Sequence, residues 1–175
     1  VVNLESPIGG QPYTGYPCFS APDEFPIALQ NAGFDLFLTA NNHCLDRYTR
    51  GAIRTLHILD SIGADHIGTY DSKDSFERFY PFITSIKGIR IAFLNYTYGT
   101  NGFTPHSPLI VNYIDEEKIK KDIFRAKTLS ADLIVACLHW GDEYQLLPNK
   151  RQEDLADFLA KEGVQLIIGA HPHVI

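Results

Sequence analysis

Five residues in this chain could share a metal ion. Glu5, Asn42, His139, His171 and His173 each stand at the end of an apolar run, where the chain leaves a strand for a loop. Imidazole nitrogens, a carboxylate and an amide oxygen suit a borderline divalent cation such as Mn²⁺, Zn²⁺ or Fe²⁺. No thiolate stands among them, so a structural zinc cage is not what they describe. A carboxylate can bridge two ions, and two histidines flanking Pro172 can point at different ones. Such a set matches a two-metal hydrolytic centre, with ions roughly 3.5–4 Å apart.

These residues are scattered over the sequence, so the fold must gather them. Apolar runs at 1–4, 34–40, 133–138 and 164–168 lead into Glu5, Asn41-Asn42-His43, His139-Trp140-Gly141 and Gly169-Ala170-His171-Pro172-His173. Helices are expected over 22–32, with Gly33 as its stop, and from about Thr49, with Ile53, Leu56, Leu59 and Ile62 on one stripe and Gly63 closing it. Asp115 is placed to cap a third, carrying Ile119, Ile123, Ala126 and Leu129. Asn149 and Gln152 form a capping box for a fourth, bearing Leu155, Phe158 and Leu159 and ended by Gly163. Further strands are expected at 66–67, 82–86 and 89–95. Strands alternating with helices imply an α/β fold with a largely parallel sheet covered on both faces. Ligands in such folds bind outside the carboxyl ends of the strands, so the five residues should meet on one rim. Two long connections, 6–21 and 96–108, are rich in Gly, Pro, Tyr and Phe and start at that same rim. Long loops inside a domain are often binding loops.

The remaining histidines lack this placement. His57 falls on a helix, His66 opens a short strand and His106 lies in a loop, so a structural reading is preferred for each. Composition narrows the partners. The chain has 175 residues and a formal net charge of −6, with no Lys/Arg block, which argues against a nucleic-acid footprint. An acidic substrate stays compatible where bound cations supply positive charge. The three cysteines, Cys18, Cys44 and Cys137, form neither a CxxC pair nor an even framework, and Cys137 reads as a core residue.

The motifs NLE (3–5), ANNHCLD (40–46), HWGDEY (139–144) and GAHPHV (169–174), together with NYTYGTNG (95–102), resemble the bacterial capsule-synthesis (CapA, poly-γ-glutamate synthesis) family. The resemblance covers essentially the whole chain and implies a calcineurin-like metallophosphoesterase core: mixed, largely parallel β-sheet layers flanked by helices, in a single domain over residues 1–175. Carried over by motif, Glu5 would bridge two divalent ions, Asn42, His139 and His171 would hold one, and His173 the other. His43 takes the place of the group that protonates the leaving oxygen or stabilises its charge. Asp46 could orient His43, although a turn or helix cap is an equally simple reading. Glu143, Tyr98 and Asn101 are candidates for touching substrate, with plain exposure the competing account for Glu143. The family shows a Gly-Asp strand ahead of the NLE motif, so the chain is read as a fragment lacking its first strand and its C-terminal strands, with one metal position weaker than the other.

The implied setting is the bacterial cell envelope, with an acidic small molecule or polymer as substrate and other polymer-synthesis proteins as partners. Any membrane attachment would then lie outside this chain. Hydrolysis of a phosphoester is the leading expectation. A non-catalytic metal-containing binding component and a γ-glutamyl amide hydrolase are the alternatives.

Overall fold

A computed structural model describes residues 1–174. In chain order the elements are β1 (Val2–Asn3), α1 (Glu24–Asn31), β2 (Leu36–Leu38), α2 (Tyr48–Ser61), β3 (Asp65–Ile67), β4 (Thr69–Tyr70), α3 (Lys73–Phe79), β5 (Phe82–Ile86), β6 (Ile89–Thr97), β7 (Ile110–Val111), α4 (Glu116–Thr128), β8 (Leu133–His139), α5 (Lys150–Glu162) and β9 (Leu166–Ala170).

The strands divide between sheets, as the β-sheet layers implied by the family resemblance require, although the alternation of strands and helices by itself suggested a single sheet. β1, β2 and β3 make a parallel three-stranded sheet, while β5-β6-β8-β9 make a four-stranded sheet in which only the β5–β6 pair is antiparallel. A small antiparallel pair, β4 with β7, completes the set. The β5–β6 turn is Lys87-Gly88, both with positive φ (51° and 84°), the requirement of a two-residue hairpin turn that follows strand twist.

Alternation of side chains shows how the layers stack. On β6 and β8, Ala92, Leu94, Tyr96, Ile134, Ala136 and Leu138 pack with Ile119 and Ile123 of α4 and Leu155 and Leu159 of α5. The intervening residues Phe93, Val135 and Cys137 turn the other way and meet Leu36, Leu38 and Ile67 of the three-stranded sheet. Behind that sheet, Phe37 packs with Leu4, Ile8 and Leu59, so α2 covers the far side. The result is helix, sheet, sheet, helix. A continuous apolar run says that both faces of a strand are covered but not whether a helix or a second sheet covers them, which is why one sheet was expected.

Several local expectations hold. Asp115 caps α4 by accepting from Lys118 N at 2.7 Å, and the Asn149/Gln152 capping box is formed at α5. Others are corrected. Leu129 lies at the C-cap of α4 and is exposed, because the apolar stripe has already turned out of the core there. β9 is an edge strand, and its Leu166 and Ile168 are exposed instead of buried. The two-residue strands β4 and β7 and the seven-residue α3 are too short to leave a periodic signal and were not anticipated. Among the described residues no helix is long and apolar enough to cross a membrane.

Candidate metal centre

Parallel pairing sends β1, β2, β8 and β9 out of their sheets at the same rim, two strands from each sheet. Glu5 follows β1, Asn42 follows β2, His139 ends β8, and His171 and His173 follow β9. His139 Nε2 lies 2.8 Å from Asn42 Oδ1 and 3.6 Å from Glu5 Oε1, while His173 Nε2 lies 3.9 Å from the same Glu5 oxygen. Donor atoms of Glu5, His171 and His173 all lie within 4.8 Å of one another. Two ligands on one ion at bonds near 2.2 Å stand at most about 4.4 Å apart, so the spacing is close to what a shared cation requires.

The donor chemistry fits as well. His171 Nδ1 is buried without a hydrogen-bond partner among the described residues, and a buried imidazole nitrogen left unpaired is costly unless something else pairs it. Burial, reinforced by the nearby His171, His43 and His173, pushes the His139 pKa down to about 3, so its ring is neutral and has a lone pair to offer. Burial also lowers the pKa of His171. Burial raises that of Glu5 against the opposing pull of His173 and His43, because a carboxylate loses hydration there. Asn3 Nδ2 donates to Glu5 Oε2 at 3.0 Å and lies 3.4 Å from His139 Nδ1, so one amide orients two of the candidate ligands.

The segment between β2 and α2 carries Asn42 and His43 on a framework of its own hydrogen bonds. Asn41, fully buried, donates to Leu4 O at 2.8 Å and accepts from His43 N at 3.1 Å. Asn95 on β6 accepts from Ala40 N at 2.9 Å and donates to Cys137 O at 3.1 Å, tying this segment to the second sheet. Gly68 presses on the same place, and a Cβ there would fall 2.1 Å from Asn95 Oδ1 and 2.5 Å from Ala40 N. Asp46 Oδ2 lies 2.7 Å from His43 Nδ1 and accepts from Phe19 N at 2.7 Å. The short contact to a carboxylate assigns the proton to Nδ1 and leaves Nε2 of His43 free. A capping role for Asp46 is not what the geometry shows: the N-cap of α2 is Arg47, without a side-chain cap bond.

After β9 the backbone is held differently. His171 has φ 104° and His173 φ 57°, in the left-handed region that non-glycine residues rarely enter. Each such residue costs on the order of 1–3 kcal/mol and persists where surrounding structure or function demands it. His171 is buried and His173 exposed.

The three residues proposed to face substrate also gather here. The Tyr98 ring lies 4.8 Å from that of His171 and nearly parallel to that of His139 at 6.3 Å. Asn101 Oδ1 accepts from Asn42 Nδ2 at 3.3 Å. Glu143 is exposed and lines a cleft of about 400 Å³ together with Glu5, His43 and His173. The histidines set aside lie elsewhere: His66 pairs with Asp60 at 3.0 Å, His57 stands 3.8 Å from Asp71, and His106 is exposed. Sequence reasoning gave no role to Asn3, Asn41 or Asn95 individually, or to Tyr16, Phe19 and Tyr144 of the cleft. An asparagine inside or just after an apolar run is the signal that would have found the first three.

Comparison with known proteins agrees with this architecture. Residues 1–175 match the family described as "Bacterial capsule synthesis protein PGA_cap". The chain is 32% identical over 166 residues to the capsule biosynthesis protein CapA of Bacillus anthracis, covering 89% of this chain and 39% of that protein. It is 30% identical over 164 residues to the PGA biosynthesis protein CapA of Bacillus subtilis (strain 168), covering 84% and 39%. The chain thus spans well under half the length of the curated relatives it matches. Among solved structures, the NAD nucleotidase of Haemophilus influenzae superposes with a TM-score of 0.55 at 18% identity, over 83% of this chain and 28% of that one. A putative 5'-nucleotidase from Staphylococcus aureus gives 0.56 at 16%, over 86% and 31%. At such identities the likeness is one of fold, and the fold is that of the metallophosphoesterase-type nucleotidases.

Proposed function

This chain belongs to the bacterial capsule synthesis protein PGA_cap family, and from that premise and the geometry of the rim we propose that it is the hydrolytic core of a metal-dependent phosphoesterase acting in cell-envelope polymer synthesis. Glu5, Asn42, His139, His171 and His173 would hold one or two divalent cations. Such ions supply Lewis-acid polarisation of a phosphoryl oxygen and lower the pKa of water.

The chain's own residues do the rest. Asn3 fixes the directions of Glu5 and His139. Asp46 holds the His43 ring through its Nδ1–H, so that when the ring is doubly protonated Nε2 can hand a proton to the departing oxygen of a substrate in the cleft. Tyr98, parallel to the His139 ring and tilted against that of His171, limits water on that side of the rim. The observation that carries the proposal is His43. A site built only to bind a cation needs ligands but has no use for an imidazole held in one tautomer by a buried carboxylate, its other nitrogen free beside them.

Replacing His43 with Ala, assayed with Mn²⁺ against simple phosphoesters, should leave metal content intact and lower the rate by roughly 10²–10⁴. Loss of metal together with activity would make His43 a ligand instead. Metal bound firmly with no hydrolysis by the unaltered chain would favour a binding component of a polymer-synthesis complex, and cleavage of γ-glutamyl amides but not phosphoesters would redirect the substrate class.

A further inference from the structure

The cleft beside the candidate metal centre has a composition that bears on what enters it. From the loop before α1 come Tyr16 and Phe19, from α1 itself Phe25, and from the loop after β8 Glu143 and Tyr144. Phe19 meets the ring of His43 edge-on at 4.7 Å, and Tyr16 continues the series against Phe19 at 6.5 Å. Tyr144 stacks on His173 at 5.9 Å with 26° between the planes. The aromatic lining therefore starts at the very imidazoles that would meet the reacting group. It is also poorly covered: Tyr16 is 85% and Tyr144 70% exposed, large ring faces left to water next to a reactive centre.

The charge of the cleft points the same way. Among the described residues its only ionisable groups besides the histidines and tyrosines are the carboxylates Glu5 and Glu143, and no Lys or Arg lines it. Two guanidinium groups are engaged with that loop, Arg54 of α2 with the Asp23 carboxylate at 2.7 and 2.8 Å and Arg47, the N-cap of α2, with Pro12 O at 2.9 Å. Apart from any cation held at Glu5 and the histidines, an anionic chain laid along this cleft would meet the carboxylate of Glu143, whereas a flat uncharged ring would find faces to stack on.

We infer that the group beyond the scissile bond is a neutral, planar ring held by Tyr16, Phe19 and Tyr144, and not a segment of acidic polymer. This deepens the phosphoesterase reading and rests on it for the position of the reacting group. The anchoring is built in, since the Asp46 carboxylate that orients His43 also accepts from the backbone N of Phe19, so the first aromatic wall and the proton donor share one support.

The test uses three phosphonates that share a three-carbon spacer and end in phenyl, methyl or carboxylate, which cannot be hydrolysed, titrated into the Mn²⁺-loaded chain: 3-phenylpropylphosphonate, butylphosphonate and 4-phosphonobutanoate. Stacking on two rings should make the phenyl compound bind about tenfold more tightly than the butyl compound. The carboxylated compound should bind more weakly than the butyl one. The double replacement Tyr16→Ala, Tyr144→Ala should bring the phenyl-to-butyl ratio close to one, and Glu143→Gln should narrow the penalty on the carboxylate. Equal binding of phenyl and butyl compounds, or preference for the carboxylated one, would overturn the inference. Hydrolysis of the corresponding phosphate esters is scored separately: if the phosphonates bind in the expected order while no ester is cleaved, the ring pocket stands and the phosphoesterase reading falls.

Discussion

The segment after β2 and the segment after β9 both deliver candidate ligands to the same rim, and they are built in opposite ways. Residues 39–46 are buried throughout and supported by protein hydrogen bonds: Asn41 to Leu4 O and His43 N, Asn95 to Ala40 N, Asp46 to His43 and Phe19. Residues 170–174 instead hold two histidines at positive φ, one of them with a buried nitrogen that no described residue pairs. One ligand-bearing segment is organised by the chain. The other leaves a buried nitrogen for the proposed cation to pair. Strain and an unpaired nitrogen on a candidate ligand on one side, against a network that leaves only the second Asp46 carboxylate oxygen unpaired on the other, locate where a cation would contribute most to stability.

Four perturbations sharpen that contrast. The largest effect should come from Asp46→Asn, which keeps the shape but removes the charge behind His43. The hydrolytic rate should fall by roughly 10²–10⁴ with metal content unchanged and the pH–rate profile altered, which a purely structural role would not produce. Next, His171→Gly should weaken metal binding by at least about 10–100-fold while costing the metal-free chain little stability, because it removes an unpaired nitrogen and relieves a backbone that glycine tolerates. A substantial drop in metal-free melting temperature would show that His171 is held by contacts within the chain. In the segment after β2 the reverse holds: Asn41→Ala should destabilise by about 1–3 kcal/mol, with or without metal, since it leaves Leu4 O and His43 N unpaired in the interior, and denaturant titration would read it.

The smallest effect concerns pH. A histidine whose folded pKa is depressed destabilises the native state wherever the unfolded chain is protonated and the native one is not. For His139 that window runs from about 6.5 down to about 3. Stability of the metal-free chain should therefore fall as the pH drops below about 6.5, and His139→Gln should make that slope shallower. Glu5, whose folded pKa is raised, acts in the other direction, its destabilising effect growing as pH rises from 4.5 through its folded value. The difference between parent and His139 variant isolates the histidine.

How much of this could be read in advance follows from the same contrast. The strand ends and their ligands were legible, because an apolar run stopping at a histidine or asparagine combines two signals, one of burial and one of chemistry. The helix caps were legible because Asp115 and the Asn149/Gln152 pair act within one turn. The division into two sheets was not, since Phe93, Val135 and Cys137 would read alike under a helix or under β2 and β3. The supports were also hidden: Asn95 acts on Ala40 across 55 positions, and Asn3 on His139 across 136. Backbone strain at His171 leaves no trace in residue type, for glycine would be the ordinary choice at that φ.

The central claim, that the segment after β9 is completed by a divalent cation while the segment after β2 is complete without one, has a direct measurement in residue-resolved amide hydrogen exchange with and without Mn²⁺. Added metal should raise protection at least about tenfold through residues 169–174 and leave residues 39–46 nearly unchanged. Equal gains in both segments, or no gain in either while metal is bound, would contradict it.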